Sequence, residues 1–207
     1  MAIVGVTRVH CPACDREREC QLVQSINTRT NPSAKTQLLA GELNVLACAC
    51  GRRTQLATTV LFNDPDADYW CQVCPGGEQA LAEGEAAFRV AGVSGRQRLV
   101  PSLNALVEKV KLLDAGLEDW AIEMVKVLLL ASRDDRDLER VLLFDGVDGE
   151  TIRWLLFEAD GPRSMASTIT AYAKLAARTQ GRPSPLELRI DRAWAIDAVR
   201  TMIAGAN

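Results

Sequence analysis

The chain has 207 residues, of which 48% are hydrophobic and 25% are charged, and its formal net charge is −3. This length and apolar content suffice for one good hydrophobic core or two small ones. No stretch approaches the ~20 apolar residues of a membrane span, and the acidic balance argues against strong nucleic-acid binding. We therefore expect a soluble protein that does not associate with a membrane.

The cellular location is predicted from the amino terminus and from cysteine usage. Residues 1–6 lack the basic region and the apolar run of a secretory signal. The chain contains seven cysteines, an odd number, and most of them stand in close pairs. A reducing cytoplasm fits this usage better than export, because exported small domains use even numbers of cysteines in disulfide frameworks.

Short strands and one helix are predicted in the first part of the chain. Strands over residues 3–9 and 43–47 lead into two cysteine pairs, and residues 54–62 form a strand rich in β-branched residues. Asn31-Pro32-Ser33 begins a short helix that runs through Ala40 and ends before Gly41. Residues 63–66 form a turn before a strand that ends at Val73.

The two cysteine pairs are Cys11-Pro12-Ala13-Cys14 and Cys48-Ala49-Cys50-Gly51. Zn²⁺ prefers four thiolate or imidazole ligands in a tetrahedron, and two close pairs on separate turns supply four thiolates without leaving an open position. Gly51 allows backbone N–H groups to approach the sulfurs. The spacing predicts one structural zinc ion on Cys11, Cys14, Cys48 and Cys50.

Other residues could join or replace these ligands. Cys71 and Cys74 also have C-x2-C spacing, but they lie in an apolar β-rich segment where cysteine behaves as a small core residue. Cys20 stands alone and is expected to be a half-buried strand residue. His10 abuts Cys11 and could replace a ligand, although a surface or supporting position is favoured.

The C-P-x-C pattern of the first pair is also found in thioredoxin-like dithiol enzymes. Those enzymes place the motif at a helix amino terminus, whose partial positive charge lowers the thiol pKa. Residues 15–19 are all charged here, so no amphipathic helix begins after Cys14. Metal binding is therefore favoured over thiol-disulfide exchange at Cys11 and Cys14.

The second half of the chain is predicted to be rich in helices. Residues 75–98, rich in Gly, Glu and Ala, are expected to be weakly structured. Apolar residues recur at helical spacing from Leu103 to Gly116, and a largely apolar buried helix follows. Strands over 138–144 and 150–158 form a hairpin with a five-residue loop. Helical stripes follow over 165–176 and from about Asp191.

Several of these segments together resemble the CpXC family, a bacterial and archaeal protein family named for its first cysteine motif. The resemblance covers most of residues 6–130. It is carried by residues 11–14, 25–27, 39–44, 48–51, 61–64, 112–117 and 122–123. The family usually has two residues between its second cysteines, whereas Ala49 alone separates Cys48 from Cys50. The resemblance implies a zinc-ribbon-like fold and supplies no catalytic residues.

The expected fold class is therefore α+β. Residues 1–74 form a zinc-ribbon-like β region with a short helix, residues 75–100 form a connector, and residues 101–207 form a helix-rich part that contains the β-hairpin. This division makes the cysteine region a small module attached to a larger, mostly helical part.

Basic residues near the cysteine pairs bear on possible partners. The arginines concerned are Arg8, Arg16, Arg18, Arg52 and Arg53. They could form a surface for anions or nucleic acid, but Glu17 and Glu19 dilute the patch and no aromatic stacking residue accompanies it. We expect these cations to balance the negative charge of a four-thiolate metal centre, and nucleic-acid binding to be weak or absent.

A non-enzymatic protein-interaction module is the favoured function, and its protein partner is not identified by the sequence. The chain has one histidine and no recognisable pairing of nucleophile and base, and a four-thiolate zinc leaves no position for an activated water. The alternatives are a thiol-disulfide oxidoreductase that uses Cys11 and Cys14, zinc-dependent hydrolysis with only three protein ligands, and a zinc-ribbon nucleic-acid-binding protein.

Overall fold

The computed structural model describes residues 3–178 and 182–205; residues 1 and 2 of the stretch considered for a secretory signal lie outside this range. The described residues form a mixed α+β structure, which confirms the predicted fold class. The chain divides into two compact units, Met1–Val107 and Glu108–Asn207. Each unit is described by itself below.

The first unit holds most of the strands. They are β1 (Val4–His10), β2 (Glu17–Val23), β3 (Ser25–Asn27), β4 (Val45–Ala47), β5 (Arg53–Gln55), β6 (Val60–Asp64), β7 (Tyr69–Val73) and β8 (Arg96–Val100). Its helices are α1 (Pro32–Leu39) and α2 (Gly77–Ala91), and α3 (Leu103–Asp114) continues into the second unit. The predicted helix over 31–40 is confirmed. The predicted strand over 54–62 is two strands, β5 and β6, in different sheets.

A four-stranded sheet forms the core of the first unit. Its order is β3-β6-β7-β8, with β6 and β7 antiparallel and the two outer strands parallel to their neighbours. Phe62 on β6 and Tyr69 on β7 are buried, and their rings meet edge to face at 6.4 Å. Two further sheets are two-stranded antiparallel ribbons, β1-β2 and β4-β5, which end in the two cysteine pairs.

The segment expected to be weakly structured is ordered. Residues 75–98 contain α2 and the beginning of the edge strand β8, so the expectation of weak structure there is wrong. Leu81, Gly84 and Phe88 form the buried stripe of α2 at helical spacing. A Cβ on Gly84 would lie 2.9 Å from the Cys74 sulfur, so this glycine allows the helix to pack closely on the sheet. Gly84 therefore reflects tight packing, whereas Ala82, Ala86 and Ala87 are exposed on the outer side of the helix.

The second unit combines helices with a three-stranded sheet. Its elements are α4 (Asp119–Ala131), β9 (Leu142–Asp148), β10 (Thr151–Glu158), β11 (Gly161–Thr168), α5 (Ile169–Ala176) and α6 (Arg192–Ala204). The strands form an antiparallel meander in the order β9-β10-β11. Helix α4 is buried along most of its length, as predicted, and α5 and α6 pack against it.

The predicted hairpin is present with a shorter connection. Strand β9 extends to Asp148, so only Gly149 and Glu150 lie between the strands, and Gly149 has a φ of +57°. Met165, predicted on a helical stripe, lies in β11 instead. That strand is mostly exposed, so its sequence carries little of the alternation that identifies strands.

Charged residues also form a buried cluster in the second unit. Lys109 Nζ lies 2.9 Å from Asp119 Oδ2, and Lys126 Nζ lies 2.7 Å from Glu108 Oε1 and 3.0 Å from Glu123 Oε1. All five side chains are 10% exposed or less. These ion pairs join α3 to α4 and allow charged residues to occupy a core position.

None of the helices within residues 3–178 and 182–205 has both the length and the apolar character required to cross a bilayer.

Candidate metal centre

The first cysteine pair lies in the turn that joins β1 to β2. Cys11 follows β1 directly, and its N–H donates to the Arg16 carbonyl at 3.0 Å, while the Asp15 N–H donates to the Cys11 carbonyl at 2.8 Å. Asp15 has a φ of +54°, a left-handed conformation that Asp tolerates better than most residues. The turn thereby brings Cys11 and Cys14 to the same end of the ribbon.

The second pair lies in the turn between β4 and β5. The Cys48 N–H donates to the Arg52 carbonyl, and the Gly51 N–H donates to the Cys48 carbonyl, both at 2.9 Å. Gly51 has a φ of +86°, which favours glycine at this position. With this tight turn, one intervening residue is enough to direct Cys48 and Cys50 to the same side.

The two turns bring the four sulfurs together. The Sγ atoms of Cys11, Cys14, Cys48 and Cys50 all lie within 4.8 Å of one another. Cys11 Sγ is 3.7 Å from Cys50 Sγ, and Cys14 Sγ is 3.6 Å from Cys48 Sγ. A tetrahedral zinc with Zn–S bonds of about 2.3 Å has sulfurs about 3.8 Å apart. The four side chains therefore fit a tetrahedral metal ion.

The burial of the four cysteines is unequal. Cys11 is 1% exposed and Cys48 is 7% exposed, whereas Cys14 is partly buried and Cys50 is exposed. Leu46 is buried with Cys11 and Cys48, and Val9 and Leu56 pack against them. A metal ion held here would thus have an apolar shell on one side and solvent on the side of Cys50.

Backbone N–H groups in the turns affect the thiol pKa values. The Cys50 N–H is the main cause that lowers the pKa of Cys48 to about 6, with smaller contributions from the Cys50 and Arg18 side chains. The Ala13 N–H is the main cause that lowers the pKa of Cys11. Sequence reasoning identified the sulfurs but assigned no specific amide donors, which depend on turn geometry that spacing alone does not give.

Cys14 has the opposite shift. The Arg16 N–H lowers its pKa, but burial and the neighbouring Cys48, Cys50 and Cys11 sulfurs outweigh that bond and raise the pKa to about 11. Four sulfurs at this spacing cannot all ionise without a cation among them. The ionised form of Cys48 is therefore favoured at the expense of that of Cys14.

The other candidate ligands lie outside this cluster. Among the described residues, the group of potential ligand atoms that gathers here consists of the four paired cysteines. Cys20 is half-buried in β2, as expected. The His10 ring is exposed and its Nδ1 lies 3.3 Å from Asp15 Oδ1.

Cys71 and Cys74 are in the core of the four-stranded sheet. Cys71 is 0% exposed and Cys74 is 2% exposed, which confirms the expectation that both are core residues. The Gln72 amide donates to the Cys74 sulfur at 3.5 Å, and burial raises the pKa of Cys74. Both thiols therefore lie packed in the core of the sheet.

The arginines near the cysteines are interleaved with acidic residues. Arg53 forms an ion pair with Glu42, and Arg8 lies opposite Glu19 in the β1-β2 register. Arg18 is half-buried, and its interaction with Cys48 helps to lower the pKa of that thiol. Of the five arginines considered from the sequence, Arg18 thus has a direct electrostatic effect on the cluster.

Comparison with known proteins gives a family assignment. A family model described as CpXC protein matches residues 9–126, which is more than half of the chain. The matched region contains both cysteine pairs, the four-stranded sheet, α3 and most of α4. Neither the curated proteins nor the solved structures gave a match.

Proposed function

The chain belongs to the CpXC family, and from this membership and the four-sulfur cluster we propose that it is a non-enzymatic, zinc-stabilised protein-interaction module. Cys11, Cys14, Cys48 and Cys50 are the proposed ligands of one structural zinc ion. The observation that carries this proposal is the position of all four sulfurs within 4.8 Å of one another.

The chemistry of the ligand set favours zinc among the common metals. Four thiolates in a tetrahedron suit zinc, and four protein ligands leave no open position for a substrate or an activated water. Zinc with four thiolates carries a formal charge of about −2. Arg18 and the turn N–H groups of Ala13 and Cys50 offset part of that charge. In this proposal the metal stabilises structure and does not react.

Exposed apolar residues on the β1-β2 ribbon support a protein partner. Ile3 is 61% exposed, Val4 is 50% exposed and Val6 is 63% exposed. The ribbon has only two strands, so each strand has one edge that is not paired within the sheet. Apolar side chains beside an open strand edge are typical of surfaces that bind another polypeptide.

Seven free cysteines, with no disulfide among them, suit the cytoplasm as the site of action.

Thiol-disulfide exchange at Cys11 and Cys14 is the second candidate, because the pKa of Cys11 is lowered. A thiolate is the attacking species in such exchange. However, the motif is followed by strand β2 and not by a helix, so it does not lie at a helix amino terminus as it does in thioredoxin-like dithiol enzymes. The sulfurs of Cys48 and Cys50, which lie within 4.8 Å of those of Cys11 and Cys14, favour a four-thiolate metal ligand set over an isolated dithiol pair.

Metal content and free-thiol counts distinguish these two candidates. We expect native mass spectrometry to find one zinc per chain, with four of the seven thiols protected from alkylation until a chelator is added. Two readily titrated thiols at Cys11 and Cys14, without bound metal, would instead support the oxidoreductase. A zinc-free protein with a folded β1-β2 ribbon would contradict the zinc proposal outright.

Single substitutions test the ligand assignment. Cys14→Ser or Cys50→Ser should lower bound zinc well below one per chain, whereas the matched controls Cys71→Ser and Cys74→Ser should retain it. Serine at a buried position can leave an unsatisfied hydroxyl, so zinc must be measured on protein whose circular dichroism shows it is folded. Metal loss in either control variant would overturn the assignment.

The interaction surface has its own test. A pull-down from cells that naturally express the protein should recover a protein partner with wild type and lose it with Val4→Thr and Val6→Thr combined. These changes keep the β-branched shape that suits strands while reducing apolar surface. Recovery of the same partner by the double variant would show that the ribbon face is not the binding surface.

A further inference from the structure

A groove in the second unit lies between three helices, away from the cysteine cluster in sequence. It is formed by Val125, Leu128 and Leu129 on α4, by Leu175 on α5 and by Met202 on α6. Its volume is about 330 Å³. Leu128 is 36% exposed, so part of this apolar lining faces solvent. Most of the groove falls beyond residue 126, where the family match ends.

Two cations stand at the rim of the groove. Lys174 is in the last turn of α5, Arg178 lies just beyond that helix, and both side chains are exposed. Within residues 3–178 and 182–205, neither side chain has an acidic partner, and no carboxylate lines the groove. As far as the described residues go, the groove is therefore an apolar trough with two positive charges at one side that no acidic side chain pairs with.

Capping of α5 does not explain these cations. Basic residues near a helix carboxyl terminus commonly satisfy its last carbonyls. Here Arg182 satisfies those carbonyls. Its Nε donates to the Arg178 carbonyl and a terminal nitrogen donates to the Ala176 carbonyl, both at 2.9 Å. Arg182 is also held over the Trp120 ring at 5.7 Å. Capping is therefore the role of Arg182 and not of Lys174 or Arg178.

The size of the groove favours a small ligand over a protein. Small-molecule pockets have volumes of about 300–1,000 Å³, and the groove is at the lower end of that range. A stable protein interface needs about 800 Å² on each partner, far more than five apolar side chains provide. Apart from the two cations, the lining residues named above offer no polar side chain, so a sugar or nucleobase would lose hydrogen bonds on entering.

We propose that this groove binds the carboxylate of a medium-chain fatty acid, with the acyl chain against Leu128, Leu175 and Met202 and the head group at Lys174 and Arg178. Charge complementarity orients the ligand, and burial of the chain provides most of the affinity. This site does not depend on the zinc proposal, because its residues come entirely from the second unit.

Sodium decanoate below its micelle concentration is the probe, and isothermal titration calorimetry on the full-length protein measures binding. We expect saturable binding of one decanoate per chain. Lys174→Gln with Arg178→Gln should weaken it about tenfold. Arg200→Gln is the control, since Arg200 is an exposed cation on α6 that pairs with Asp197 and does not line the groove.

A second variant tests the apolar part without removing charge. Ala171 is exposed and lines the groove, so Ala171→Leu should fill it and reduce binding while preserving helix propensity. Ala82→Leu on α2 is the matched control and should bind as wild type does. Circular dichroism of each variant confirms that the fold is retained.

Three results would overturn the proposal. The first is absence of decanoate binding at millimolar concentration. The second is equal binding of decanoate by the wild type and the Lys174→Gln, Arg178→Gln double variant, or equal binding of decylammonium, because the cations would then have no role. The third is binding to phosphatidylglycerol vesicles without binding to free decanoate, which would identify a membrane surface as the ligand source.

Discussion

Replacing Lys126 by methionine removes a buried cation that two carboxylates share. Lys126 Nζ is 2.7 Å from Glu108 Oε1 and 3.0 Å from Glu123 Oε1, and the lysine side chain is 9% exposed. Without it, Glu108 retains the Phe144 N–H as a donor, and Glu123 retains Lys109 at 3.8 Å. Two carboxylates would then be buried with little compensation.

The loss of unfolding free energy in Lys126→Met follows from the two buried carboxylates that are left without their cation. Burial lowers the pKa of Lys126, but Glu108 and Glu123 outweigh burial and raise the pKa above its ordinary value. Removing one partner of a buried ion pair costs about 3–5 kcal/mol of unfolding free energy, because an uncompensated charge stays behind. We expect Lys126→Met to cost that amount. Adding Glu108→Gln and Glu123→Gln should restore a substantial part of it.

Urea denaturation followed by tryptophan fluorescence measures this change. Trp120, Trp154 and Trp194 lie in the second unit, so fluorescence reports mainly on that unit. Lys174→Met is the matched control at an exposed lysine and should change stability by no more than about 0.5 kcal/mol. A loss below about 1 kcal/mol for Lys126→Met would refute the argument that the two carboxylates depend on this cation.

The pH dependence gives an independent check. The folded-state pKa of Lys126 lies above its ordinary value of 10.5. The contribution of Lys126 to the free energy of unfolding is therefore fully present below the unfolded-state pKa. It is lost as the pH rises through the folded-state pKa. The stability difference between wild type and Lys126→Met should be constant between about pH 8 and pH 10 and should shrink above that range.

Other perturbations test the first unit. Chelation should reduce amide-hydrogen protection in residues 3–74 more than in α4, because structural zinc contributes folding free energy; equal loss in both would indicate one cooperative domain. Gly84→Ala should destabilise by about 1–2 kcal/mol despite its better helix propensity, because the new Cβ would lie 2.9 Å from Cys74 Sγ. Cys74→Ala in the same chain should relieve this cost, and a stabilised Gly84→Ala would contradict the packing argument. Arg52→Ala with Arg53→Ala should leave DNA binding weak at physiological salt, whereas tight, salt-sensitive binding abolished by this change would establish nucleic-acid recognition.

Periodicity located the helices whose buried face is made of large apolar residues. Helices α3, α4 and α6 were predicted because apolar side chains recur at helical spacing along them. Helix α2 was missed because its buried stripe includes Gly84. This glycine allows the helix backbone to approach Cys74 closely. A search for apolar residues at helical spacing does not identify a buried glycine, because glycine has no apolar side chain.

Strand pairing was the harder part of the fold to predict. Strand β8 pairs in parallel with β7 across the whole of α2, and β11 is a largely exposed strand whose partner is β10. Both depend on a neighbouring strand that local sequence does not reveal. The buried ion pairs of Lys109 and Lys126 likewise depend on partners that only the folded chain brings close.

The candidate site was predicted more completely than the fold around it. Ligand spacing is a local property, so the four cysteines could be named from two short segments. The unequal burial of Cys11 and Cys50 and the opposed pKa shifts of Cys48 and Cys14 could not. Those properties arise where two separate turns meet, so they require the tertiary structure.

The cysteine pairs lie where the first unit has the least apolar support. Isolated two-stranded ribbons are marginally stable in water, and β4-β5 pairs over only Val45–Ala47 and Arg53–Gln55. The buried residues around the pairs are Cys11, Leu46 and Cys48, too few for a hydrophobic core. The four-stranded sheet, by contrast, has its own core. Coordination energy is therefore expected to replace hydrophobic burial at the ribbons, so that within residues 3–74 metal removal should reduce amide protection most in the ribbons and least in the sheet.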